Sequence, residues 1–506
     1  MRSSLPSAAG VSLRSILPEA RFLGADDIRV ASCSSDPRKC QPGDLFAALV
    51  GSRRDGHDHV HQAVKRGAAG VLGERFLPVG SLPLCMVSDS RAAFGRICQA
   101  LVGQPTQRLK VIGVSGSRGK TSVAWLLAAI FEQAGIRAGL LSSLGYCDTE
   151  QTAPATRPTP SATTLATWLA RMEANGCTHA VVEVSSHALA QRRMAGVEFD
   201  VACLTNVRRE QIGYHGSLAN YRRVMGRLLE QLRGEGLVAL NTDDPGARGF
   251  LDGLPGPALT VGLESAAEIT ASIVERSPSE QTFLLSAGAD TIPVRTPILG
   301  DHHVLNCLLA TAVGLGYGLP LPTIVRGLEA VNRLPGRLER LECGQPFATY
   351  VDEAHSPGDL ATSLRAVREA APGRVICLLG ADDRLPAEVR RQQVAAIERE
   401  ADIAIVTQQR HGNAELSNAL RQMLGSFEGL CQVKELPDRT EAFAWALGLA
   451  RPGDAVVVAG ANLAGLEPRP GALVGLDDRE VACRLLYAAG QERAPAELQP
   501  ATRLPR

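Results

Sequence analysis

Runs of apolar and β-branched residues recur along the chain, separated by helix-length stretches and turn residues. Residues 109–114, 179–184, 200–205 and 236–240 form one such series, and residues 347–352, 374–379, 402–407 and 454–459 form another. Short continuous apolar runs alternating with helical segments predict parallel strands of βαβ units, which are buried on both faces and carry no polar alternation. Two α/β domains follow from the two series. Ahead of them, residues 45–49, 70–72 and 84–87 are further strand candidates, with a helical stretch over 59–66. This first unit ends near Gln104-Pro105. Asn332-Arg333-Leu334-Pro335-Gly336 is the expected hinge before the last domain, because Pro and Gly punctuate regular structure. The expected layout is thus three α/β domains, 1–106, 107–334 and 335–490, with a tail at 491–506.

Composition narrows the function classes. The 506 residues carry 53 basic and 53 acidic side chains. Zero net charge leaves no general field for a phosphate backbone, so nucleic acid is not expected as a partner and any bound anion must be met locally. The twelve cysteines form no C-x-x-C pair, which fits reduced thiols better than disulfides or a zinc site. No apolar run is long enough to span a membrane and the N-terminal region lacks a signal-peptide core, so the chain is expected in the cytoplasm. The only lysines are Lys39, Lys65, Lys110, Lys120 and Lys434.

The strongest chemical signal is Val111-Ile112-Gly113-Val114-Ser115-Gly116-Ser117-Arg118-Gly119-Lys120-Thr121-Ser122, a buried-strand run, a glycine loop and an apolar helix start. Glycines let backbone N–H groups turn toward phosphate, and the helix start adds partial positive charge. Lys120 can then reach the β/γ-phosphates while Thr121 offers a hydroxyl to Mg²⁺. Glu183 ends another apolar run, at the strand end where α/β sheets bind ligands.

The Gly116-x-x-Gly119-Lys120-Thr121-Ser122 spacing resembles the loop of Mur ligases and folylpolyglutamate synthetases. Asp36-Pro37-Arg38-Lys39, Pro42-Gly43-Asp44-Leu45-Phe46-Ala47-Ala48-Leu49 and Asp55-Gly56-His57-Asp58 are similar to the UDP-binding first domain of Mur ligases, which the synthetases lack. Glu183-Val184-Ser185-Ser186-His187-Ala188-Leu189 with Gln191 and Arg193, and Leu334-Pro335-Gly336-Arg337-Leu338-Glu339-Arg340, resemble the branch that adds the third amino acid to UDP-MurNAc-L-Ala-D-Glu. The resemblance implies an N-terminal UDP-precursor domain, a central P-loop ATPase domain and a C-terminal Rossmann-like amino-acid domain, in a monomer. It also implies that ATP phosphorylates the precursor carboxylate and that an amino-acid amine attacks the acyl phosphate. By carry-over, Gly116, Ser117, Arg118, Gly119, Lys120, Thr121 and Ser122 hold ATP, with Asn306, Arg337 and Asp352 near the nucleotide. Thr121 and Glu183 hold Mg²⁺, Lys120 and Glu183 serve catalysis, and Thr156, Ser185, Gln191 and Arg193 contact the muramoyl-peptide.

Departures from the family pattern gather at the chemistry. Glu210 and Gln211 stand where the family has Asp-His, and Met225 stands where it has a carbamylated lysine that ligates a second metal. No lysine lies between Lys120 and Lys434 to replace it. Methionine sulfur is a poor partner for a hard cation, so one Mg²⁺ site is expected. Gln408-Gln409-Arg410-His411 meets the Asp-Asn-Pro-Arg amino-acid clamp, Gly460-Ala461-Asn462-Leu463-Ala464 meets the Gly-Lys-Gly-His-Glu block, and Thr156-Arg157-Pro158 meets Thr-Thr-Pro. A catalytically impaired relative that binds nucleotide or UDP-precursor in a regulatory role is therefore the alternative to an active ligase.

Overall fold

A computed structural model describes residues 10–51, 54–208, 212–254, 256–408, 418–461 and 477–493. Its strands form three principal sheets. In the first, β1 (Arg21–Leu23), β2 (Cys33–Ser34), β3 (Leu45–Ala47), β4 (Gly70–Gly73) and β5 (Leu84–Met86) lie in the order β1-β5-β4-β3-β2, with only the β1–β5 pair antiparallel. Helices α1 (Val60–Lys65) and α2 (Ser90–Leu101) complete this unit, and Asp89 caps α2 by accepting a bond from Ala92 N.

The central sheet is built on β6 (Lys110–Ser115), followed by helix α3 (Lys120–Gln133) and β7 (Ala138–Ser142). The hairpin strands β8 (Gly145–Cys147) and β9 (Thr152–Ala153) come next, then α4 (Ala162–Ala174), β10 (His179–Val184), α5 (Ser186–Ala190) and β11 (Phe199–Leu204). Helix α6 (Leu218–Gly226) and strands β12 (Leu232–Asn241) and β13 (Ala258–Gly262) follow. The order β9-β8-β7-β10-β6-β11-β12-β13 puts β6 in the interior between β10 and β11, both parallel to it. This explains why 110–115 reads as a continuous apolar run: Val111 through Ser115 are all buried. The helices α7 (Asp301–Gly316) and α8 (Leu321–Glu329) come later in the chain, and α8 packs on α3, where Gly327 lies against the backbone of Ile130.

By internal contacts the first two sheets belong to one compact unit, Met1–Ala271 with Leu285–Ile292 and Leu305–Ala330. Within it, α2 packs on α4, and Gly95 lies against Ala195 so closely that a side chain there would clash. The other unit is Ser272–Leu284, Pro293–Val304 and Val331–Arg506. Its sheet contains β14 (Glu339–Arg340), β15 (Ala348–Asp352), β16 (Val375–Ala381), β17 (Ile403–Gln408), β18 (Gln432–Glu435) and β19 (Ala455–Ala459), in the order β14-β15-β19-β16-β17-β18. All neighbours except β14 and β15 run parallel. Among the described residues no helix is long and apolar enough to cross a membrane, and every cysteine is a free thiol.

Candidate active site

Strand β6 delivers the chain into the glycine loop at the carboxyl end of the sheet. Gly116 has φ 148° and Gly119 has φ 80°, both in the region that favours glycine. A Cβ on Gly116 would collide with the Thr205 hydroxyl, and one on Gly119 would collide with the Asn306 carboxamide. The loop is therefore held on two sides. Ser117 N donates to Asn206 O (2.9 Å) and Arg118 N to Asn206 Oδ1 (3.0 Å), while Thr205 Oγ1 donates to the Ser115 carbonyl (3.3 Å). Ser117 Oγ meets Tyr221 Oη at 2.9 Å and accepts from Arg208 N at 2.8 Å. Lys120 Nζ folds back on the loop, donating to Gly116 O (2.9 Å) and Ser117 O (3.0 Å). Thr121 and Ser122 begin α3 and are buried, and Asn306, in the first half of α7, lies against the loop at Gly119.

Glu183 stands beside Val114 in the register of β10 with β6 and is only 2% exposed. Its Oε2 accepts from Ser143 N (2.8 Å) and from Thr121 Oγ1 (3.1 Å), and Thr121 Oγ1 also meets Ser143 Oγ at 2.9 Å. Two hard oxygens of Thr121 and Glu183 thus adjoin at the loop, a donor set that suits Mg²⁺ when phosphate and water supply its other ligands. Met225, on α6, is 0% exposed inside the central apolar cluster, with Sδ 3.7 Å from Ser115 Oγ. Among the described residues no group of three or more His, Cys, Asp or Glu side chains is placed to hold a metal.

The residues expected to contact the muramoyl-peptide lie beside this pair. Thr159 Oγ1 donates to Glu183 O (2.8 Å) and accepts from Ser185 N (2.8 Å), tying the 156–160 loop to the end of β10. Ser185 caps α5. Arg193 donates through Nη1 to Thr159 O (2.8 Å) and through Nε and Nη2 to Gln191 Oε1 (3.1 and 2.7 Å), so Gln191 and Arg193 form one fork. Gln191 Nε2 reaches Tyr214 Oη at 3.4 Å, and the Tyr214 ring lies 3.9 Å from that of His187. Burial, then the charges of Arg157 and Arg91, bring Arg193 down to about 10. Burial first, then His215, Arg193 and Lys120, lower His187 below the ordinary histidine value, so its ring is neutral at pH 7. Thr156 is exposed on the same loop.

The structure thus gathers Gly116–Ser122, Asn306, Glu183, Ser185, Gln191 and Arg193 in one unit. Arg337 and Asp352 belong to the other, where they are neighbours: Leu338 N and Ala354 N each donate to Asp352 at 2.7 Å, and Arg337 pairs with Glu353 at 2.7 Å. Burial pushes the Asp352 carboxyl up to about 6, against the pull of Arg337 and the two N–H groups. Glu210, Gln211, Gln409, Arg410, His411, Asn462, Leu463 and Ala464 lie outside the described residues. Ser143, Thr159 and Tyr221 were not singled out from sequence. His57 is spent structurally, meeting Asp55 Oδ1 at 2.5 Å and accepting from Glu74 N at 2.9 Å.

Comparison with known proteins covers the whole arrangement. The Mur ligase family catalytic domain matches residues 29–89, the Mur ligase middle domain residues 114–314, and the Mur ligase glutamate ligase domain residues 336–462. A UDP-N-acetylmuramoyl-L-alanyl-D-glutamate–2,6-diaminopimelate ligase of Geobacillus thermodenitrificans strain NG80-2 is 34% identical over 460 residues, 90% of this chain and 94% of that protein. A UDP-N-acetylmuramyl-tripeptide synthetase of Roseiflexus sp. strain RS-1 is 33% identical over 85% of this chain and 89% of that one. In fold, a solved diaminopimelate ligase of the first kind superposes with a TM-score of 0.70 at 24% identity, covering 95% of this chain and 99% of its own. The MurF ligase of Thermotoga maritima in complex with ADP gives 0.63 at 16% identity, over 92% and 98%.

Proposed function

The chain belongs to the Mur ligase family, and from that premise we propose that it is a cytoplasmic ATP-dependent ligase joining an amino acid to UDP-MurNAc-L-Ala-D-Glu through an acyl phosphate. The observation that carries this reading is the contact of Thr121 and Glu183 beside an intact glycine loop, with the Ser185/Gln191/Arg193 set next to it. Lys120 exchanges the carbonyls of Gly116 and Ser117 for phosphate oxygens, at little cost because the loop is held by Asn206 and Thr205. Thr121 and Glu183 hold one Mg²⁺, which when bound neutralises phosphate charge. Arg193 and Ser185 position the muramoyl-peptide, and Asn306 lies along the nucleotide. The physics of the step is positioning and charge neutralisation. Incubating the protein with ATP, Mg²⁺, precursor and a panel of amino acids, with product masses read by mass spectrometry, tests the assignment. The expected result is a precursor extended by one residue, and a panel that gives ADP but no extended product would contradict it.

A second reading has its own support. Met225 is sealed in the apolar core where the family pattern has a metal-ligating carbamate, which favours a relative that binds nucleotide and precursor with little turnover. Saturable precursor binding without ADP release would select it.

A further inference from the structure

The side chain of Arg157 has no hydrogen-bond or ion-pair partner among the described residues, and the residue is exposed. Its backbone, by contrast, is fixed. Tyr146 Oη accepts from Arg157 N (3.3 Å) and donates to Arg157 O (2.5 Å), and Tyr146 is itself buried edge-on against Trp168. Thr159, two residues on, ties the loop to Glu183, Ser185 and Arg193. Other surface arginines nearby sit beside carboxylates, Arg171 with Asp148, Arg137 with Glu150 and Arg192 with Asp89. Arg157 instead has Arg193 as a charged neighbour. Its charge and that of Arg91, which is spent on the Val50 carbonyl, both bear on Arg193. Arg193 in turn uses its donors on Gln191 and Thr159. Like charges gathered without a counterion oppose folding, and an anionic ligand relieves them. A guanidinium with its fork unspent matches a phosphate or carboxylate in bidentate fashion.

Resting on the proposed acceptor, we propose that Arg157 is a specificity-determining residue that clasps an oxyanion of the muramoyl-peptide, at a position where the family pattern has a neutral threonine. Two oxyanions share that chemistry, the pyrophosphate and the carboxylate of the peptide end. Calorimetric titration of wild type, Arg157→Ala, Arg157→Thr and Arg157→Lys with UDP-MurNAc-L-Ala-D-Glu and with UDP-MurNAc distinguishes them. Arg157→Ala and Arg157→Thr should weaken binding of the dipeptide precursor about tenfold, with Arg157→Lys in between. An equal loss with UDP-MurNAc assigns the pyrophosphate, and a loss confined to the dipeptide precursor assigns the carboxylate. An ATP-dependent thermal shift equal to wild type verifies that each variant is folded. Unchanged dipeptide-precursor affinity in Arg157→Ala would overturn this proposal alone. A wild type that binds neither compound would overturn the proposed acceptor together with it.

Discussion

Lys120 and Met225 mark the two sides of the chemistry at the level of single residues. Lys120→Ala removes the ammonium that reaches the Gly116 and Ser117 carbonyls, so the ATP-dependent rise in melting temperature should vanish; a shift equal to wild type would refute the role. Met225→Ala opens a cavity in a sealed core and should cost on the order of 2–5 kcal/mol in chemical denaturation. Met225→Lys places an ammonium in the same apolar cluster and should lower the melting temperature. Bicarbonate with Mg²⁺ and ATP should restore part of that loss if the lysine is carbamylated, and no response to bicarbonate would show that this core does not admit the modified side chain. Lys120, Thr121 and Glu183 were legible in sequence because backbone geometry and strand position dictate their surroundings. Ser143 and Thr159 were not, because their partners lie 40 and 24 residues away and only the sheet brings them to Glu183.

Among the elements, the loop between β6 and α3 works because two glycines remove side chains. Gly119→Ala puts a methyl against Asn306 in a left-handed backbone, a strain of about 1–2 kcal/mol, and should weaken nucleotide binding more than it lowers the melting temperature. Equal losses in both would contradict this. In the other unit, Asp352 follows from its burial at the end of β15. The unfolded carboxyl ionises near 3.8 and the folded one near about 6, so between those values the folded state holds the extra proton. Stability contributed by this group therefore falls as pH rises through that window and is level above it. Urea midpoints should show this slope in wild type and a smaller one in Asp352→Asn; parallel profiles would contradict it. The buried strands β6, β10, β11, β15, β16 and β19 were legible as continuous apolar runs. The β8–β9 hairpin was not, since Gly145–Cys147 and Thr152–Ala153 are too short for periodicity.

For the molecule as a whole, zero net charge means that any bound anion is met locally, and Arg157 is the position proposed to do so beside Arg193. Three α/β segments were legible from the rhythm of the chain. That the first two merge into one compact unit was not, because α2 packing on α4 and Gly95 on Ala195 leaves no periodic trace. The Gln408-Gln409-Arg410-His411 segment departs in sequence from the family's amino-acid clamp while the glycine loop does not, so amine choice and phosphoryl transfer should fail separately. Adding meso-diaminopimelate or lysine should therefore leave the rate of ADP formation unchanged, and strong selective acceleration by either would restore the family's amine specificity to this chain. The most direct test of the account is ADP release in a single turnover with ATP, Mg²⁺ and UDP-MurNAc-L-Ala-D-Glu, in wild type, Lys120→Ala and Glu183→Gln. The account predicts slow release that requires the precursor and is lost in both variants. Release independent of the precursor, or undiminished in Glu183→Gln, would contradict it.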